Sequence, residues 1–228
     1  MQELLNTYLP NLAEKLPGFG QAIVETLQMV AKSGVFIFFI GLFLGITMNV
    51  TKKNGILENK IVFQIVDKVV NLFRSIPFII LLAALIPLTR MISGTAIGVQ
   101  GAIVPLVFGT TPFFSRQVET ALAEMNPGLI EAAIAMGESP LSIIFRVLLR
   151  ECIPGLVRAV TITIINLISL TAMAGAVGAG GLGDFAIRFG YQRNQPDVTF
   201  ASVVVLVIIV TIVQVLGNFI SNKYTKTA

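Results

Sequence analysis

The stretch Val198-Thr-Phe-Ala-Ser-Val-Val-Val-Leu-Val-Ile-Ile-Val-Thr-Ile-Val-Gln-Val-Leu-Gly-Asn-Phe-Ile220 contains no charged residue. A helix crossing a bilayer needs about 20 apolar residues, so this run predicts a membrane span. In lipid the backbone finds no water to bond, and a helix is the form in which one segment satisfies its own N–H and C=O groups. Four further apolar runs lie upstream, at about 33–50, 69–88, 97–114 and 156–177. The expectation is an all-α integral membrane protein with five transmembrane helices, forming one membrane domain over 1–228. Composition agrees, with 55% hydrophobic and 12% charged residues against about 25% charged in soluble domains.

Local chemistry divides these runs further. Gly41 and Gly45 in the first are spaced as GxxxG, which lets a second helix approach closely. The second holds Arg74, Ser75, Pro77 and Pro87 and should be bent or broken, while Pro105 and Pro112 are expected to interrupt the third. The fourth dissolves into a glycine-rich segment, Gly175-Ala-Val-Gly-Ala-Gly-Gly-Leu-Gly183, succeeded by an expected polar loop over 184–197.

The net charge is +4, but the basic residues stand in pairs between apolar runs, a topology signal and not a nucleic-acid face. One orientation puts Lys52, Lys53, Lys60, Lys68, Arg116, Arg146, Arg150, Arg158, Lys223 and Lys226 on one side, and leaves Lys15, Arg90, Arg188 and Arg193 on the other. The positive-inside rule then places the N-terminus outside and the C-terminus in the cytoplasm. The start carries Glu3 and Glu14 and lacks the basic region and cleavage site of a signal peptide, so no segment is expected to be removed. The chain has no histidine and a single cysteine, Cys152, which excludes an internal disulfide and the usual metal-ligand sets. Cys152 reads as a small apolar residue at a membrane margin.

The longest hydrophilic region, 115–154, contains Asn126-Pro-Gly-Leu-Ile-Glu-Ala-Ala-Ile-Ala-Met-Gly-Glu-Ser-Pro140. Pro127 suits a helix start, Glu131, Ala132 and Ala133 favour its interior, Gly137 suits its end, and Ser139 with Pro140 opens another helix. The result is a helix of about two turns whose apolar groups, Leu129, Ile130, Ile134 and Met136, are too few to span a membrane. It reads either as a knob fitting another protein or as an amphipathic connector on the membrane surface.

The run Glu131-Ala-Ala-x-x-x-Gly137 resembles the EAA motif of bacterial ABC importer permeases. The resemblance implies the type I ABC importer permease fold, and a coupling helix, carried by Leu129, Glu131, Ala132, Ala133, Met136, Gly137, Glu138 and Pro140, that docks in a groove of a separate ATPase. The family continues to a Leu-Pro about ten residues on, whereas this sequence has Leu149-Arg150 and places its proline at Pro154. The runs Asn71-Leu-Phe-Arg-Ser-Ile-Pro-Phe-Ile-Ile-Leu-Leu82, Gly101-Ala-Ile-Val-Pro105 and Gly175 to Gly183 resemble the methionine branch of that family. This second resemblance implies a homodimeric permease in the bacterial cytoplasmic membrane. It would carry L- or also D-methionine or a close amino-acid relative, with two ATPase subunits and an extracytoplasmic methionine-binding lipoprotein as partners. ATP and Mg would belong to the ATPase, since this chain has no GxxxxGK[ST] and needs no cofactor.

Candidate pathway residues are Arg74, Ser75, Pro77, Asn166, Ser169 and Met173, each weighed against snorkelling, local kinking or interhelical packing. Gly178, Gly180 and Gly183 satisfy GxGxxG, but a membrane-length run precedes them where a dinucleotide site needs a strand, so Gly178, Gly180, Gly181 and Gly183 read as a tight turn. Asn49-Val50-Thr51 matches a glycosylation acceptor by chance. A proton- or sodium-coupled secondary amino-acid transporter is the alternative, and it would want ionisable groups at mid-membrane or an inverted repeat. An intramembrane enzyme would want a convergent catalytic set, and no catalytic residue is assigned.

Overall fold

The computed structural model describes residues 9–225; Glu3 and Lys226 lie outside them. Among the described residues there is no strand. The helices are α1 (Pro10–Ala13), α2 (Leu16–Thr51), α3 (Lys60–Ser75), α4 (Phe78–Ala84), α5 (Ile86–Ser93), α6 (Gly98–Ala123), α7 (Pro127–Ala135), α8 (Pro140–Ser142), α9 (Leu149–Glu151), α10 (Ile153–Ala174), α11 (Gly181–Phe185) and α12 (Pro196–Thr225). π-helical turns join α8 to α9, extend α10 and extend α11.

Three helical stretches are long and apolar enough to cross a membrane: Leu16–Thr51, Ile153–Ala179 and Pro196–Tyr224. They cover the first, fourth and fifth expected spans. The first extends much further than its apolar run suggests, beginning at Leu16 instead of residue 33. Lys32 looks like a boundary, yet Phe19, Ala22, Thr26, Met29 and Ser33 are buried at three- and four-residue spacing, so one helical stripe runs through the charged region. At 36 residues the helix is about 54 Å long, well beyond the roughly 30 Å of hydrocarbon.

The second expected span is three pieces, α3, α4 and α5. Pro77 donates no N–H and disfavours the helical conformation at Ile76, and it stands outside α4 with ψ 135°; the second break, at Leu85, precedes Pro87 in the first turn of α5. The third differs from expectation in the other direction, because α6 passes unbroken through Pro105 and Pro112. Both prolines are buried, and packed neighbours hold the helix on course where a solvated one would kink.

The described residues form two compact units, one of residues 9–35, 76–109 and 164–213 and the other of 36–75, 110–163 and 214–225. In the first, Leu12, Phe19, Ala22, Leu182, Phe185 and Val198 form a core. Asp197 at the start of α12 ties down the N-terminal segment, accepting from the Asn11 and Leu12 backbone N–H groups at 3.0 and 3.3 Å and from Asn11 Nδ2 at 3.1 Å. The expected polar loop over 184–197 is largely helical up to Tyr191. Leu182, Phe185 and Phe189 fall on one helical face, the first two buried in the core and the third packed against it, and that burial overrides the local polarity.

In the second unit the GxxxG face of α2 lies on α6. A Cβ on Gly41 would stand 2.6 Å from the Phe114 ring, and one on Gly45 2.6 Å from Val118 and 2.7 Å from the Ser115 carbonyl oxygen. Arg116 of α6 donates to Glu119 at 2.6 Å, to Asn71 Oδ1 at 3.1 Å and to Asp67, linking α6 to α3. Because the obstacle at Gly45 is partly backbone, Gly45→Ala is expected to destabilise the protein by about 1–3 kcal/mol. Gly20→Ala, with nothing within 4 Å of the added carbon, should leave stability unchanged or slightly raised. Thermal unfolding of the detergent-solubilised variants checks both.

Candidate coupling surface and pathway face

The segment 126–140 folds by the residues that suggest it. The Asn126 side chain accepts from the Gly128 N–H at 3.0 Å, capping α7, and Pro127 occupies the first turn. At the other end Gly137 adopts φ +78°, its N–H donates to the Ile134 carbonyl at 2.9 Å, and the Glu138 N–H donates to that of Ala133 at 3.1 Å. This pair of bonds around a left-handed glycine is a Schellman closure. Ser139 then accepts from the Ser142 N–H at 3.3 Å and opens the next helix.

Only Ala133 of α7 is buried, at 2% exposure. Leu129, Ile134 and Met136 are exposed, Met136 to 76%, and Glu131, Ala132, Gly137, Glu138 and Pro140 are exposed around them. The surface is larger than the EAA run alone implies. Leu141 and Phe145, four apart in the segment after α7, are exposed to 63% and 66%. Their i, i+4 spacing next to the Ser139 cap is the signal in the sequence that marks them. The helix end left open by the missing Leu-Pro falls at Cys152, where ψ is 6°, and Pro154 sits in the first turns of α10.

Asn166, Ser169 and Met173 lie three and four residues apart on α10, on one side of the helix. Asn166 is half-buried, Ser169 is exposed and bonded back to the Ile165 carbonyl at 3.3 Å, and Met173 is 44% exposed. Neighbouring Thr171 is buried. Pro77 belongs to the same compact unit, whereas Arg74 and Ser75 fall in the other. Both are exposed, and the Ser75 hydroxyl donates to the Asn71 carbonyl at 2.8 Å.

The glycine-rich segment succeeds a helix and no strand, so the βαβ context that a nucleotide site requires is not met. Gly178, Gly180 and Gly181 all have positive φ. The Gly181 N–H donates to the Glu25 carboxylate and the Leu182 N–H to Thr26 Oγ1, each at 2.8 Å, while Gly183 lies against the Ala172 backbone. Glu25 and Thr26 carry no sign of this role in the sequence, because they precede the apolar run by which α2 is recognised. Asn49 is buried, which removes it as a glycan acceptor.

The described residues are those of a helical membrane protein that exposes a capped surface helix and a weakly polar helix face. Residues 37–226 match the family described as binding-protein-dependent transport system inner membrane component. The chain is 47% identical over 199 residues to the probable D-methionine transport system permease protein MetI of Vibrio cholerae, covering 87% of this chain and 88% of that protein. It is 44% identical over 223 residues to the methionine import system permease protein MetP of Bacillus subtilis, covering 98% and 100%. A chain from the MetNI methionine ABC transporter in inward facing conformations superposes with a TM-score of 0.90 at 47% identity, over 92% of this chain and 98% of that one. An amino acid ABC transporter shares the fold alone, with a TM-score of 0.78 at 16% identity over 95% and 98%. The chain therefore belongs to the binding-protein-dependent transport system inner membrane component family, with the ABC importer permease fold, and is a multi-pass transport subunit and not an enzyme. These relatives do not favour a secondary transporter.

Cys152 is buried, and burial, assisted by Glu151 and Glu124, pushes its thiol up to about 11. The thiolate is the reactive form. Alkylation by iodoacetamide at pH 8 should accordingly run more than about tenfold slower in the folded protein than in the denatured chain, as measured by mass spectrometry.

Proposed function

We propose that this chain is the permease subunit of an ATP-driven importer for methionine, L or D, or a close amino-acid relative, working as a homodimer with two ATPase subunits and an extracytoplasmic binding protein. The observation that carries the coupling part is α7, a nine-residue helix closed by caps at both ends with its apolar side chains turned outward. A rigid short helix of this kind transmits a push where a floppy loop would absorb it. Leu129, Ile134 and Met136 would fill a groove of the ATPase, and Glu131 and Glu138 would supply charge at the rim.

In this reading the whole chain acts as one transmembrane domain of five spans, with the N-terminus outside and α7 and the C-terminus in the cytoplasm. ATP and Mg stay on the partner, and closure of two ATPases would tilt the helices between outward- and inward-open states. The side of α10 bearing Asn166, Ser169 and Met173 would line the pathway across the dimer, and Arg74, Ser75 and Pro77 are the further pathway candidates. A thioether side chain passes such a weakly polar surface without being trapped. The turn at Gly178, Gly180, Gly181 and Gly183 would lie under the docked binding protein.

Two substitutions test this on the assembled transporter in proteoliposomes with methionine-binding protein and labelled methionine. Glu131→Lys reverses charge on the docking face, and Gly137→Pro cannot adopt φ +78°. Each should lower uptake by about tenfold or more while the chain stays inserted and ATP hydrolysis continues. Normal uptake by both would overturn the coupling assignment. Methionine-independent ATPase activity with intact coupling would overturn the substrate.

A further inference from the structure

A cleft of about 480 Å³ lies in the second unit, where α9 gives way to α10 and where α12 ends; its lining includes Arg146, Arg150, Glu151, Pro154 and Tyr224. Its position along the chain is specific: Ile153 begins one membrane-length apolar stretch and Tyr224 ends another. It therefore sits at a membrane boundary, whichever side of the membrane that is.

Arg146 and Arg150 are four residues apart, exposed, and line the same cleft. Among the described residues neither makes an ion pair or a hydrogen bond, and Glu151 beside them pairs with neither. Two like charges at this spacing disfavour the helix that carries them, so the arrangement is relieved by an anion held between them. A guanidinium presents its donors as a planar fork that fits phosphate oxygens two at a time, and the Tyr224 hydroxyl offers a third donor at the depth where tyrosines gather in membranes. The apolar part of the ligand is accounted for as well. Along the last turns of α12, Ile220 and Leu216, four and eight residues before Tyr224 and on the same side of the helix, are exposed and form a surface along which acyl chains can lie.

We infer that this cleft binds the phosphate headgroup of an anionic phospholipid, with Arg146 and Arg150 gripping the phosphate, Tyr224 bonding the headgroup and the chains resting on α12. Basic pockets beside transmembrane helices are a recurrent setting for such lipids. The site is independent of which amino acid is transported and requires only that the chain lie in a membrane.

The test uses the full-length chain purified with its co-purifying partners, reconstituted in vesicles of phosphatidylcholine with phosphatidylglycerol, re-extracted in detergent, and assayed for retained phosphatidylglycerol by native mass spectrometry. Wild-type protein should keep it preferentially. The double variant R146Q/R150Q should lose about tenfold or more of that retention, and each single variant should be intermediate, which serves if the double variant does not assemble. Arg90→Gln, another exposed guanidinium, should retain lipid as wild type does. Equal retention by wild type and the Arg146 and Arg150 variants would overturn the site, as would equal loss in Arg90→Gln. Displacement of the lipid by millimolar inorganic phosphate would overturn the lipid as the source of the anion, while resistance to it supports the lipid.

Discussion

Inside a bilayer a backbone N–H or C=O left without a partner costs several kcal/mol, and the architecture of this chain depends on where that cost is met. Over α2, α10 and α12 the helix meets it alone. Where helical geometry fails, something nearby must substitute. At the glycine-rich turn after α10 the carboxylate of Glu25 and the hydroxyl of Thr26 accept the N–H groups of Gly181 and Leu182. Glycine is required there because a Cβ on Gly181 would stand 2.7 Å from Thr26 Oγ1, at a positive φ besides. A carboxylate on a membrane-length helix is thereby explained as a backbone partner, with no proton-coupling role needed.

Two different adhesives join the helices of the second unit. Between α2 and α6 the contact is steric, glycine against Phe114 and Val118, and such packing has one register. Between α3 and α6 it is the Arg116 network with Asp67, Asn71 and Glu119, whose charged side chains are each less than one-third exposed. Removing one member of such a set would strand a partly buried charge, so parting α3 from α6 carries an electrostatic cost that the α2–α6 contact does not.

The sequence is most legible where function depends on local chemistry. Pro127 and Gly137 name the ends of α7, and Ser139 with Pro140 the start of the next helix, because capping is a short-range affair of a few backbone bonds. It is least legible where long-range burial outvotes local signals. Lys32 conceals the true start of α2, the polar residues after Asp184 conceal a helix held by Phe185 and Phe189, and Pro105 and Pro112 look like breaks in a helix that packing keeps whole. Glu25 and Thr26 cannot be found before the turn they serve is located. The resemblance to the family is carried by the EAA-like run and the glycine-rich segment, both compact stretches of sequence.

The geometry of the second unit also bears on how a force applied at α7 would travel. Only three residues, Glu124 to Asn126, separate α6 from α7, and the Asn126 cap stiffens the last of them. On the other side Gly137 and Ser139 close one helix and open the next, so no slack remains there either. A displacement of α7 would pass to α6 across that short link, and through Arg116 to α3, whose C-terminal end carries Arg74 and Ser75 immediately before the break at Pro77. At that break Pro77 has no N–H to donate, so the backbone ladder of α3 is interrupted before α4 begins.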